Sequence, residues 1–150
     1  MTKKKQIEYW LLTYGNFIFE CCTALIKDPK NTHWVFQIIF KNLSLKSKKI
    51  KQFPTERSWV IKILWDQLHN FLSQNHIHSL KKPTLNPQAR LQHFDFYFQN
   101  LSPEDQMLLL LKQKYQIPFF EIAFALHLPE SSLKFQYQQA LKMLELWIWA

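Results

Sequence analysis

Residues 118–133 read PFFEIAFALHLPESSL, and this stretch decides the expected fold of the second half of the chain. Pro118 is typical of a helix start, and a mostly apolar run follows it to Leu126. Pro129 ends that helix, and Glu130 begins another that we expect to continue to about Trp147. Two helices joined by a turn of about three or four residues form a helix-turn-helix. The stretch therefore predicts this motif.

A further helix is expected just before the motif. Ser102 is a good N-cap residue, Pro103 suits the first helical position, and the carboxylates of Glu104 and Asp105 lie near the positive end of the helix dipole. This helix should run from Pro103 to about Tyr115.

The spacing within residues 118–133 fits one helix crossing. Ala123 is small enough to allow close approach of the two helices, His127 falls at the tight turn, and Leu133 points back into the crossing. Histidine is among the non-glycine residues enriched at positive φ, although glycine is the easier choice for a turn. Three- and four-residue steps along the last helix predict a buried stripe of Leu133, Tyr137, Ala140, Leu141, Leu144 and Ile148. The outward face is then predicted to carry Lys134, Phe135, Gln136, Gln138, Gln139 and Lys142.

The segment from Leu101 to Lys134 resembles the C-terminal domain of bacterial sigma factors, in particular the small extracytoplasmic-function class. The matching residues are Leu101–Gln106, Glu121–Ala123 and Leu128–Lys134. In that family the last helix enters the major groove of the upstream promoter element. Gln pairs with adenine, and Lys holds phosphate or guanine. The chain departs from the family at His127, where the family has Gly, and near Gln136 and Gln139, where it usually has Arg. Together the resemblance and the helix pattern assign DNA contacts to Ser131, Ser132, Lys134, Phe135, Gln138, Gln139 and Lys142.

Charge is distributed unevenly along the chain. Residues 1–90 hold 15 Lys and Arg against 5 Asp and Glu, whereas residues 91–150 hold 4 against 6. The expected DNA-reading half is therefore slightly acidic, and the N-terminal half should supply most of the phosphate contacts. An alternative interpretation is that the lysine runs only keep an aromatic-rich protein soluble.

Three helices are predicted in the N-terminal half: from Gln6 to about Ile26, from about Thr32 to Leu43, and from Glu56 or Ser58 to about Phe71. Residues 46–54 form a basic loop between the second and the third. This organisation resembles the N-terminal domain of the same sigma class through Asp28-Pro29, through Gln37 followed by Phe40, and through residues 58–63, where the family has a tryptophan heading its promoter-melting helix.

The resemblance implies two roles for this half. One is docking on core RNA polymerase, assigned to Gln37 and Lys41. The family has acidic residues where this chain has His33 and Trp34, and a Gln-Glu pair where it has Gln37 and Ile38, so docking would need a different chemistry. The other is contact with the melted promoter element through backbone charge and base stacking. This role is assigned to Lys46, Lys48, Lys49, Lys51, Arg57, Lys62 and Trp65, although Trp59 and Trp65 fit a packed core better.

The expected fold is all-α with two small helical lobes. Residues 1–73 form the first lobe, residues 74–87 form a proline-containing linker, and residues 88–150 form the second lobe with its helix-turn-helix. A helix from about Gln88 to Gln99 is expected to open the second lobe.

Other chemistries are not supported by the sequence. Gly15 alone cannot build a glycine-rich phosphate loop. Cys21 and Cys22 are adjacent in a predicted helix and are interpreted as buried apolar residues, and His76 and His78 lack further ligands at metal spacing. Asp66 and His69 could touch, yet no nucleophile accompanies them. We expect no catalytic residues, metal, cofactor or small-molecule substrate.

The sequence predicts no targeting signal. Lys3–Lys5 precede an apolar stretch, but Glu8, Asn16 and Glu20 interrupt it, so a cytoplasmic location without membrane contact is expected.

Two functions remain open at this point. The first is a sigma-like initiation factor that binds promoter DNA and core RNA polymerase, with an anti-sigma protein as a further partner. The second is a sigma-like interaction module that no longer reads DNA.

Overall fold

The computed structural model describes residues 2–75, 98 and 100–149, and all regular secondary structure in these residues is helical. The predicted all-α class is confirmed. Most of the predicted linker and of the helix expected at 88–99 lie outside the described residues, as do His76 and His78.

The first two helices are joined by a tight connection. Helix α1 spans Lys3–Ile26 and is capped by Thr2, whose side chain accepts a hydrogen bond from the Lys5 N–H. Lys27 ends it with a φ of 68°, and Asp28 then caps α2, which spans Pro29–Leu45 with its proline in the first turn. The Asp28-Pro29 pair therefore breaks the chain and restarts it, as its sequence predicts.

The predicted basic loop is itself largely helical. A 3₁₀ helix spans Ser47–Gln52, and α3 then spans Glu56–Asn75. A reciprocal pair of hydrogen bonds precedes α3: the Thr55 N–H donates to the Ser58 hydroxyl over 3.2 Å, and the Ser58 N–H donates to the Thr55 hydroxyl over 3.0 Å. These bonds satisfy donors that a helix start leaves free.

In the C-terminal half, α4 spans Pro103–Leu109 and continues as a π-helical segment, Leu110–Lys114. Helix α5 spans Phe119–Leu126, and α6 spans Glu130–Trp149. His127 takes the left-handed conformation, with a φ of 54°, and the Leu128 N–H returns to the Ala123 carbonyl over 3.0 Å. The two predicted helices and the three-residue connection between them are thus present, with His127 at the positive-φ position.

One hydrophobic core runs through both halves of the chain. It contains Ile39 and Leu64 from the first half together with Met107, Ile122 and Leu133 from the second, and all five are fully buried or nearly so. A smaller cluster under α6 contains Leu101, Leu109, Ala140 and Leu144. The described parts of the two predicted lobes therefore pack against each other.

Candidate nucleic-acid interface

Helix α6 exposes each of its own side chains that we predict to contact DNA bases or backbone. Its inward face buries Leu133, Ala140 and Leu144, as the predicted stripe requires. Because that face is packed, the opposite face is open along the described part of the helix. The exposed set comprises Ser131, Ser132, Lys134, Phe135, Gln138, Gln139 and Lys142.

Gln136 does not belong to that exposed face, so the sequence-based assignment is wrong at this position. Its side chain is half-buried, and its amide nitrogen donates to the carboxylates of Glu104 and Asp105, each over 2.9 Å. Gln136 thereby ties α6 to the first turn of α4. A glutamine at this position has a structural role that an outward-facing residue would lack.

Lys134 is partly engaged within the protein. Its ammonium lies 3.6 Å from the Glu130 carboxylate, one turn earlier on α6, and 5.9 Å from the centre of the Phe119 ring. Both members of the ion pair are about half exposed, so the pair is weak and screened by salt. Lys134 remains able to exchange Glu130 for a phosphate.

Arg57, which the sequence assigns to DNA contact, is held by a carboxylate instead. Its guanidinium makes a two-point ion pair with Glu121 of α5, over 2.7 and 3.0 Å. The Glu121 side chain is only 5% exposed. The hydrogen bond to Glu121 raises the pKa of Arg57 above its ordinary value, and partial burial opposes this rise. Its charge is therefore paired within the protein, although the guanidinium keeps access to water.

A second contact fixes α5 against the N-terminal half. The rings of Phe53 and Phe124 meet edge to face with their centres 5.2 Å apart. Phe53 immediately follows the lysine-rich 3₁₀ helix, so this contact brings the basic segment to α5. Nothing in the sequence pairs these two aromatics, which are 71 positions apart.

The 3₁₀ helix presents its lysines beside the turn between α5 and α6. We call Lys46 together with the segment Ser47–Gln52 the basic turn. Lys46, Lys48, Lys49 and Lys51 are all exposed on it. Lys46 and Lys49 line a cavity of about 260 Å³ that is also lined by Lys62 of α3 and by His127. The remaining lining residues are Gln52, Phe53, Trp59, Ile63, Asp66 and Phe124. Sequence reasoning identified the three lysines but missed the cavity, because no sequence pattern links them to His127.

Lys62 and Trp65 lie on α3 in different settings. The Lys62 ammonium is 3.0 Å from the Asp66 carboxylate, one turn further along the helix. Trp65 is half-buried against the core, and its ring lies beside that of His69 with centres 5.4 Å apart. Asp66 therefore pairs with Lys62, and His69 packs on Trp65.

The two predicted polymerase contacts lie on α2. Gln37 and Lys41 are both exposed, one turn apart. The Gln37 amide lies 3.2 Å from the His33 ring nitrogen. Trp34 is also largely exposed and packs at an angle on Phe71, with ring centres 6.3 Å apart. Helix α2 therefore presents an aromatic and amide surface where the sigma resemblance implies an acidic one.

Both cysteines are buried, as the sequence predicts. Burial raises the pKa of the Cys22 thiol to about 12, and it raises that of Cys21 further. Among the described residues, no group of three or more His, Cys, Asp or Glu side chains is placed to bind a metal ion. None of the described helices combines the length and apolar character that crossing a bilayer requires.

Comparison with known proteins adds no assignment. No family model matches the chain, and no curated protein is significantly similar to it.

Proposed function

We propose that this chain is a sigma-like, DNA-binding transcription initiation factor that recognises promoter DNA through α6 and also binds core RNA polymerase. The polar exposed face of α6 reads base edges in the major groove. The basic turn supplies the backbone contacts that the slightly acidic C-terminal half lacks. The chain acts by binding and not by catalysis.

The arrangement of α5 and α6 supports the reading role. Helix α5 is held from behind by Arg57 and Phe53, whereas α6 leaves Gln138 and Gln139 exposed. Side-chain amides of this kind pair with adenine through two hydrogen bonds. A packed first helix with an open second helix is the layout that a helix-turn-helix uses in the major groove.

The single observation that carries the proposal is the position of the basic turn. Lys46 and Lys49 share one cavity with His127, which is three residues before the first residue of α6. Since DNA phosphates flank the groove, lysines at the entry to α6 would contact backbone while α6 contacts bases. The lysines of the basic turn thereby lie beside the helices whose half of the chain carries a slight negative charge.

The DNA-binding part is tested by measuring affinity for duplex DNA between about 50 and 200 mM salt, the range over which counterion release has a large effect. The test variant replaces Lys46, Lys49 and Lys51 with Gln. The matched control replaces Lys3, Lys4 and Lys5, which carry the same charge and lie in the first turn of α1, outside the basic turn. We expect weaker binding and a shallower salt dependence for the first variant only. Equal effects of both variants would show that net charge alone attracts DNA.

Sequence reading is tested separately on α6. Substituting Gln138 and Gln139 with Ala should reduce the preference for a selected site over random duplex, while binding to random duplex changes little. Selection from a random duplex pool provides the site. A chain that selects no sequence at all contradicts the reading role.

The polymerase-binding part is tested by retention of the purified chain on core RNA polymerase at moderate salt. Substituting Gln37 and Lys41 with Ala should reduce retention, while Leu12→Ala, which truncates another exposed side chain, should not. Failure of the unsubstituted chain to bind core polymerase removes the initiation role and leaves an independent DNA-binding protein.

A protein-interaction module is the second candidate, and the exposed aromatics of the helix-turn-helix favour it. Phe135 is 63% exposed on α6 and Phe120 is 48% exposed on α5. Exposed aromatics of this kind are enriched at protein interfaces. Phe120→Ser distinguishes the two candidates, because Phe120 is not among the residues assigned to DNA contact. The variant should abolish capture of a protein partner in the module and leave DNA binding largely intact.

A further inference from the structure

The cavity beside the basic turn has an unusual combination of wall groups. Lys46 and Lys49 come from the segment after α2, Lys62 comes from α3, and His127 comes from the turn before α6. Three separate parts of the chain therefore bring cationic or hydrogen-bonding groups to one concave site. A solvated surface of lysines needs no such convergence.

The wall also includes a donor without an acceptor. Trp59 is 1% exposed, and its indole N–H has no hydrogen-bond partner among the described residues. Leaving a buried donor unpaired costs roughly 1 to 3 kcal/mol. Trp59 packs on Trp10 with ring centres 5.3 Å apart, so apolar contacts hold the ring in place despite that cost. Because the nitrogen itself is closed to solvent, Trp59 lines the cavity without offering it a donor, and its indole signal reports on what the cavity holds.

The charge of the lining favours an anion. Three lysines are opposed by one carboxylate, that of Asp66, which is 3.0 Å from the Lys62 ammonium. Lys46 and Lys49 form no ion pair with any described residue, so their charges are available. A volume of about 260 Å³ admits a tetrahedral oxyanion with room for water. Lysines bind phosphate as point charges and tolerate such wet geometry.

We propose that this cavity is a phosphate-binding site, formed by Lys46, Lys49 and Lys62 beside the buried Trp59 indole, with Asp66 as a competing carboxylate that moderates affinity. The site takes one phosphate group, either a diester of a DNA backbone or a free phosphate ester. The backbone as the source rests on the proposed function, whereas phosphate binding itself does not.

The test titrates the full-length ¹⁵N-labelled chain with inorganic phosphate and follows the indole N–H resonances of its tryptophans. Trp59→Phe, which keeps the ring packed on Trp10, identifies the Trp59 signal by its loss. We expect saturable movement of that signal with phosphate and none with the same concentration of chloride. A Trp59 signal that stays unmoved, with no saturable shift at the backbone amides of the basic turn, overturns the proposal.

The decisive comparison uses lysines of the same segment. Lys46→Gln/Lys49→Gln removes two cavity lysines, and Lys48→Gln/Lys51→Gln removes two exposed lysines of the basic turn that do not line the cavity. Both variants lose the same charge. Phosphate binding should weaken about tenfold or more in the first, as expected for losing charge-assisted hydrogen bonds, and by less than about twofold in the second. Equal weakening overturns the proposal in favour of general attraction to a basic surface.

A variant expected to bind phosphate more tightly separates the loss of a contact from misfolding. Asp66→Asn removes the competing carboxylate and frees Lys62 from its ion pair, so phosphate should bind about two- to fivefold more tightly. A damaged fold cannot produce tighter binding at one site. Unchanged or weaker binding in this variant, with helical content retained, counts against the assigned roles of Lys62 and Asp66 and overturns this form of the site.

Titration with a short duplex distinguishes the two sources. If the duplex moves the Trp59 signal and phosphate competes with it, the site holds a backbone phosphate. If phosphate moves the signal and a bound duplex does not, the site is supported and its ligand is a free phosphate ester. Duplex binding without any phosphate response overturns the site and leaves the proposed function standing.

Discussion

Glu121 is the residue that most constrains how the two halves of the chain fit together. It is a nearly buried carboxylate on an otherwise apolar helix, and it is satisfied by both nitrogens that Arg57 presents. A buried carboxylate left without a partner is costly, whereas the guanidinium on the other side is 41% exposed and has access to water. The two members of this pair should therefore respond differently to mutation.

Arg57→Met should lower the free energy of unfolding by about 2 kcal/mol, because it leaves Glu121 buried and unpaired; solvent access to the pair keeps the loss below the range for fully buried pairs. Glu121→Gln should lower the free energy of unfolding by less, about 1 kcal/mol, because Arg57 stays hydrated when it loses the carboxylate. Urea denaturation of the two variants measures the difference. If Glu121→Gln lowers the free energy of unfolding more than Arg57→Met does, an unpaired Glu121 is not the more costly member of the pair.

The buried thiols make stability depend on alkaline pH. Burial raises the pKa of Cys22 from 9.0 to about 12 in the folded chain. Between pH 9 and pH 12 the Cys22 thiol is deprotonated in the unfolded chain and protonated in the folded chain. The contribution of this thiol to stability is therefore fully present below pH 9 and is lost as pH rises towards 12. Between pH 8 and pH 10, ionisation of each buried thiol in the unfolded chain should lower the free energy of unfolding by about 1 to 1.5 kcal/mol.

Denaturation at the two pH values, compared with Cys21→Ala/Cys22→Ala, measures this contribution. The variant should be less stable at pH 8 because it loses buried volume, yet it should decline less between pH 8 and pH 10. A parallel decline in both proteins would assign the alkaline loss to other groups, such as Tyr14, whose pKa is also raised by burial and by Glu56.

At the scale of helices, the sequence was most informative where capping residues are local. Ser102-Pro103 starts α4, and the helices α5 and α6 begin where Pro118 and Glu130 predict. The 3₁₀ helix of the basic turn and the π-helical segment were not predicted. In the latter, the Tyr115 N–H reaches the Leu110 carbonyl over 3.3 Å, a wider turn set by packing and not by a recognisable residue pattern.

His127 sets the connection between α5 and α6 at an energetic cost. Its φ of 54° is strained for a residue with a Cβ, and its side chain is exposed. His127→Gly should therefore raise the free energy of unfolding by about 0.5 to 1 kcal/mol, whereas β-branched His127→Val should lower it by more than 1 kcal/mol. Thermal unfolding of both variants gives the comparison. Equal destabilisation by Gly and Val would mean that the imidazole itself stabilises the turn.

At the scale of the molecule, the sequence predicted which faces are buried but not how the halves meet. Helical periodicity identified Leu133 and Ala140 as buried, whereas the expectation from charge that the N-terminal half contacts phosphate stays a prediction. The pairing of Arg57 with Glu121 and the cavity shared by Lys49 and His127 depend on contacts between distant residues, which no local pattern encodes. For this reason Arg57 was assigned to DNA, whereas the structure places it in an internal ion pair.

The shared core predicts that the described helices on both sides of the chain unfold together. Leu64 of α3 is fully buried in the cluster that also contains Ile122 and Leu133. Leu64→Ala should lower the free energy of unfolding by about 2 to 5 kcal/mol through lost burial and a cavity. Since the core is continuous, slowly exchanging amides of α5 and α6 should lose protection by the same amount as those of α3, as native-state hydrogen exchange can measure.

Leu12→Ala is the control, because Leu12 is 88% exposed and its truncation should change protection in no helix by more than about 0.5 kcal/mol. If Leu64→Ala reduces protection in α3 and leaves α5 and α6 unchanged, the two halves are independent units that only touch. The basic turn would then move relative to α6, and the two would not act as one rigid surface. Equal loss in both halves instead means that the fold itself fixes the distance between the lysines of the basic turn and the exposed face of α6.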